Sequence, residues 1–205
     1  MVHPEQTVTK RQSFFGWRLV LLTLAAVVVL TGLLRATVVE IYTIPTDSME
    51  PTLDSGEKIL VNRLAYLGEQ PQKGDLVVFD GRGSFTPYEP DRPPLQAIGQ
   101  WLGELSGISP PEGIFIKRVM ATEGDHIRCC NDDGEIVLNG EVLVEDYLPS
   151  GVNASETQFD MILPKERVWL MGDNRPASAD SRALLGAPGG GAVPVNKIIG
   201  RVIGH

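Results

Sequence analysis

Residues 114 to 121 read IFIKRVMA, an apolar run broken by Lys117 and Arg118 and followed by the turn Glu123-Gly124-Asp125. Its length and β-branched content are those of a buried strand. A buried strand with two adjacent cations needs partners for their charge. The segments around it repeat the strand signature: KILVNRL (Lys58 to Leu64) enters through Ser55-Gly56, and DLVVF (Asp75 to Phe79) follows Lys73-Gly74. His126 to Cys130, Glu135 to Leu138 and Glu141 to Val144 are separated by Asn131 to Gly134 and by Asn139-Gly140, which suits a meander of tight hairpins. Val168 to Met171 and Lys197 to Ile203 close the chain around a Gly/Pro-rich loop from Gly186 to Pro194. With no crossover helices between these runs, the fold class is mainly β with antiparallel sheets. One stretch differs in character: about 80–113, Asp80 to Gly113, is rich in proline and glycine and reads as a surface insertion, with a single helical pattern at Leu95 to Leu105.

Upstream lie sixteen residues without a charge, Leu19 to Leu34. As a helix they span roughly 24 Å, and extension to Trp17 and Val39 reaches the ~30 Å of a bilayer core. Residues 17–39 therefore read as one transmembrane anchor; the apolar region is long for a cleaved secretory signal, and no clean A-x-A follows it. Lys10, Arg11 and Arg18 precede the span, whereas Arg35 alone is basic between its core and Lys58, which places the amino terminus in the cytoplasm. The organisation is then a cytoplasmic tail at 1–16, polar and aperiodic at its start, the anchor, and an extracytoplasmic β domain at 40–205. A chain of 205 residues accommodates one such domain beside the anchor. The net charge of −8 excludes the basic footprint that nucleic-acid binding requires.

Between anchor and first strand runs YTIPTDSMEPTL, Tyr42 to Leu53. Pro45 and Pro51 keep Thr46 to Glu50 out of a helix or central strand, so an irregular turn presents Ser48. An ordinary Ser/Thr/Asp turn has the same composition; a nucleophile needs a base. His3 lies in the tail, His205 is the last residue and His126 opens a hairpin strand, so none suits a Ser-His pair. Lysine serves as a base once desolvated, and Lys117, between Ile116 and Val119, meets that condition.

IPTDSMEPTL (Ile44 to Leu53), IKRVMATEGD (Ile116 to Asp125) and GDNRPASADSR (Gly172 to Arg182) resemble, in order, the three sequence boxes of the bacterial type I signal peptidases (leader peptidases). The resemblance implies the mixed antiparallel β fold shared with LexA-like self-cleaving repressor proteases. It also implies a serine endopeptidase with a Ser/Lys dyad, cutting signal peptides from secreted preproteins after small residues (A-x-A). By position, Ser48 is the nucleophile and Lys117 the general base, Ser178 holds the Lys117 amine, and Thr46 joins the Ser48 amide in an oxyanion hole. Arg118, Asp173, Arg175, Asp180 and Arg182 match the family's structural ion pairs, although for Arg175 a surface salt bridge of little worth is also open. Substrate would lie extended along Tyr42 to Pro45 and along Ile114 to Ile116, with Phe115 in that segment. Ile44, Met49, Leu53 and Ile116 would line small pockets; core packing explains any one of them equally well. The implied partners are signal peptides, the lipid bilayer and the secretion translocon, with no cofactor and no metal.

Other features fall outside these boxes. Cys129 and Cys130 lack the further ligands of a metal site, and their spacing leaves reduced, vicinally bridged and intermolecular states open. Ser55-Gly-Glu-Lys58 matches an S-x-x-K pattern, but Lys58 opens a strand where that motif needs a helix. A protease dedicated to one exported substrate, or a silent tethered domain that binds extended peptides, fits the same layout.

Overall fold

The structure, a computed structural model, describes residues 13–85 and 113–204. The chain divides into two compact units, Met1–Val38 and Val39–His205. In the first, α1 (Ser13–Val38) is 26 residues long, and Trp17, Leu19, Val20 and Leu22 on it are exposed. Counted over the described residues, no helix is long and apolar enough to cross a membrane.

The second unit is built from antiparallel strands: β1 (Val39–Thr43), β2 (Lys58–Asn62), β3 (Leu76–Asp80), β4 (Ile114–Ala121), β5 (His126–Cys129), β6 (Ile136–Leu138), β7 (Glu141–Val142), β8 (Phe159–Ile162), β9 (Arg167–Met171), β10 (Val193–Pro194) and β11 (Ile198–Gly204). A seven-stranded sheet has the order β1-β2-β11-β3-β4-β9-β10, and a four-stranded sheet the order β7-β6-β5-β8. Every described pairing is antiparallel, as the turn-separated runs of the sequence require. Three elements depart from the sequence expectation. Val39 to Thr43, divided there between anchor and turn, is a strand, because Tyr42 pairs with Ile59 and sinks into the core beneath exposed Ile41. Phe159–Ile162 pairs with β5, its Phe159 against Trp169 at 5.0 Å between ring centroids. Val193–Pro194 lies at the sheet edge, where proline costs no ladder bond.

The strand IFIKRVMA runs through the middle of the large sheet, between β3 and β9. Its Ile116 packs with Tyr42, Ile44, Met49, Leu53 and Ile59, Val119 with Val77, Phe79 and Leu170, and Met120 with Ile127, Phe159 and Trp169. All three apolar clusters therefore meet along one strand. β3 and β4 pair side by side, and the end from which their connection leaves is tied by Gly81 N–H to Gly113 O at 2.8 Å. The expected insertion springs from that end; its residues 86–112, including the helical pattern at Leu95 to Leu105, lie outside the described residues.

Glycine at 200 is required by close approach: a Cβ there would lie 2.5 Å from Asn62 O and 2.8 Å from Val61 Cγ1. Because backbone on a neighbouring strand cannot retreat as a side chain can, Gly200→Ala is expected to lower stability by about 1–3 kcal/mol. Thermal unfolding of the purified variant checks this; an unchanged midpoint would mean that β11 and β2 can separate at no cost.

Candidate active site

Ser48 lies in the turn after β1, held down by its neighbours Met49 and Leu53, both fully buried. The turn closes on itself through Leu53 N–H to Met49 O at 3.0 Å and Gly56 N–H to Ile44 O at 2.8 Å. From the other side Asn174 donates its N–H to Ser48 O at 3.1 Å and its Nδ2 to Asp47 O at 3.0 Å. The backbone of Ser48 is thus clamped by the segment that follows β9.

Lys117 enters from β4, 2% exposed, and its Nζ donates to Ser48 Oγ at 2.6 Å. Thr46 Oγ1 lies 3.2 Å from the same Oγ. Burial lowers the Lys117 pKa to about 8, against the pull of Asp180 and Asp173 toward the charged form; Arg182 lowers it further. Those carboxylates pull weakly because each has its own guanidinium. Asp180 is gripped by Arg182 Nε at 2.8 Å and Nη2 at 2.7 Å, and also accepts Gly172 N–H at 3.0 Å. Asp173 is gripped by Arg118 Nε at 2.8 Å and Nη2 at 2.5 Å, and accepts Thr52 Oγ1 at 2.5 Å. Desolvation therefore outweighs attraction at the amine, which gives up its proton more readily than an ordinary lysine and lies beside a hydroxyl.

The Ser48 side of the cleft opens into a cavity of about 210 Å³ lined by Ile44, Pro45, Thr46, Met49, Phe115 and Ile116 with Lys117. A larger groove of about 480 Å³, around Arg63, Tyr66 and Arg167, contains neither Ser48 nor Lys117.

A family model described as signal peptidase, peptidase S26, matches residues 17–204. The chain belongs to this signal peptidase family. A probable signal peptidase I of Mycobacterium leprae (strain TN) is 35% identical over 190 residues, covering 78% of this chain and 65% of that protein. Signal peptidase I of Mycobacterium tuberculosis (strain ATCC 25618 / H37Rv) is 37% identical over 184 residues, covering 78% and 62%. Probable signal peptidase I-1 of Synechocystis sp. (strain ATCC 27184 / PCC 6803 / Kazusa) is 34% identical over 182 residues, covering 88% and 77%. This chain spans somewhat under two thirds of the length of the mycobacterial relatives.

In this signal peptidase family member the three sequence boxes meet in space. Of the residues expected along the substrate path, Tyr42 and Leu53 do not line the cavity; they pack into the core beside Ile59 and Val61 instead. The expected bond from Ser178 to the Lys117 amine is not made, and Ser178 Oγ is buried without a hydrogen-bond partner among the described residues. It lies instead over Gly172, where a Cβ would sit 2.2 Å from Ser178 Oγ and 2.5 Å from Ser48 O. The surface reading of Arg175 also fails. Its side chain is buried, paired with Glu145, and donates to Ala154 O at 2.6 Å and Gly172 O at 3.1 Å.

Sequence reasoning missed Thr52, Glu145 and Tyr147, the last with its ring 4.0 Å from the Arg118 guanidinium carbon. Thr52, like Asn174, lay inside a quoted box; Glu145 and Tyr147, about thirty residues from Arg175, carried no signal. His126 pairs with Asp160 at 2.6 Å on the four-stranded sheet, and Lys58 opens β2. His3 and His205 lie outside the described residues. Cys129 and Cys130 are bonded to each other.

Arg182→Met would leave Asp180, fully buried, without its cation. The expected loss is about 3–5 kcal/mol, read as a thermal midpoint lower by about 6–20 °C. The double variant with Asp180→Asn should recover part of that loss, since the uncompensated charge is gone. A double variant no more stable than the single one would assign the loss to packing.

Proposed function

We propose that this chain is a membrane-anchored serine endopeptidase that removes amino-terminal signal peptides from exported preproteins. The observation that carries this reading is the buried Lys117 amine 2.6 Å from Ser48 Oγ, its pKa lowered to about 8, in a chain of the signal peptidase family. A pKa of 8 in place of 10.4 raises the neutral share at pH 7 from roughly one in a few thousand to roughly one in ten. Neutral Lys117 takes the Ser48 proton as Oγ attacks the scissile carbonyl, and returns it to the leaving amine. The Ser48 amide and the Thr46 hydroxyl stabilise the oxyanion. Ser178, with a free hydroxyl beside the Ser48 carbonyl, is the positioning residue for the amine once substrate is bound.

The residue before the cut enters the cavity over Ile44, Met49 and Ile116. Ile44 and Met49 are packed into the core, so the floor does not retreat for a large side chain, which supports cleavage after small residues in an A-x-A pattern. α1, with no charge between Arg18 and Arg35, is proposed as the single membrane span, with the catalytic unit outside the cytoplasm and beside the translocon. A domain that merely binds peptides has no use for a desolvated lysine against a serine.

The test is incubation of the detergent-solubilised chain with a panel of preproteins, the products read by mass. Cuts are expected after alanine with small residues two positions earlier; cuts after basic or aromatic residues would overturn the assignment. Ser48→Ala and Lys117→Ala should each remove about 10⁴-fold or more of kcat, and Lys117→Arg as well, because guanidinium does not release its proton. kcat/KM should rise through an ionisation near pH 8, since the active form is the deprotonated amine. A rise near pH 6.5 that vanishes in His126→Ala would transfer the base to histidine.

A further inference from the structure

Ser178 also borders a second space, about 410 Å³, between the 151–157 loop and the segment from Arg175 to Ala183. None of its lining residues lines the cavity beside Lys117. The two spaces are nonetheless neighbours at the nucleophile, because Ser178 Oγ and Ser48 O crowd the same face of Gly172. A peptide whose residues before the cut occupy the first cavity must continue past Ser48. Ser178, which lines the second space while its hydroxyl is buried against Gly172, marks where that path leaves Ser48.

The charge of this space is set by one residue. Arg175 and Arg182 line it, but each is already paired, with Glu145 and Asp180. Asn153 and Thr157 are neutral. Glu156 is exposed in the lining and enters no ion pair among the described residues.

We propose that this second space receives the first residues of the mature chain, on the leaving side of the cut, and that Glu156 makes it favour basic over acidic side chains there. The proposal rests on the peptidase reading and adds a specificity determinant to it.

Three peptides test it with the intact chain in detergent. They are identical up to an alanine before the cut and carry serine, lysine or aspartate at the second to fourth residues after it. The lysine peptide should be cut with a kcat/KM about tenfold above the aspartate peptide at low salt, a gap that narrows in ~1 M salt. Glu156→Lys should reverse the order of the lysine and aspartate peptides. Equal rates for lysine and aspartate peptides, with the serine peptide cut normally, would overturn this inference alone, and so would a preference that survives Glu156→Lys. A serine peptide left uncut would remove the peptidase reading and this inference with it.

Discussion

Lys117 carries its amine into the middle of a seven-stranded sheet, where it is 2% exposed and meets the hydroxyl of Ser48. Moving an ammonium there disfavours its charged form, and the shift from 10.5 to about 8 corresponds to about 3 kcal/mol. That is a large fraction of the stability of an ordinary domain. A central strand makes the placement possible, since β4 is held on both sides by β3 and β9 and its apolar residues anchor all three core clusters. A lysine on an edge strand would turn to water and keep its ordinary pKa.

The surrounding ions are arranged around that requirement. An unpaired carboxylate close to Lys117 would restore its proton, yet the segment from Gly172 to Arg182 needs polar anchors to wrap the Ser48 turn. Asp173 and Asp180 serve as those anchors with their charge largely met by Arg118 and Arg182. Arg175 ties the same segment to Glu145 and to the Ala154 carbonyl. Buried pairs of this kind add little net stability over apolar packing, but losing one partner is costly, so they fix geometry more than they strengthen the fold. Gly172 completes the clamp: any side chain there would strike both Ser178 and the Ser48 carbonyl.

The strands were readable because apolar runs and turn residues are local signals: Ile114 to Ala121 appears with the bounds read from the sequence. Val39 to Thr43 was not, because a strand that directly follows an apolar helix has no break in hydropathy to mark its start. Ser48 and Lys117 stood out through proline flanks and through a cation in an apolar run. Their meeting across 69 positions was legible only from the resemblance of three ordered boxes. Glu145 and Tyr147 illustrate the limit. Acidic and aromatic residues in a polar loop look like surface, and only the tertiary contact with Arg175 and Arg118 gives them a place. Leu53 illustrates the converse, since an apolar residue near a nucleophile reads equally as pocket lining or as core.

The proton on Lys117 links stability to chemistry in a fixed direction. Its folded value, about 8, lies below the unfolded 10.5, so the unfolded chain holds the proton more tightly and folding is penalised at acid and neutral pH. The penalty fades as pH rises from about 8 to 10.5 and is absent above that. Under the proposed function, a peptide seated over Ile44, Met49 and Ile116 would shield the same amine from water and disfavour its charge further. Substrate binding and deprotonation would then favour one another, each strengthening the other by the same factor. The paired aspartates set the limit to this coupling, because their residual attraction for the ammonium works against both.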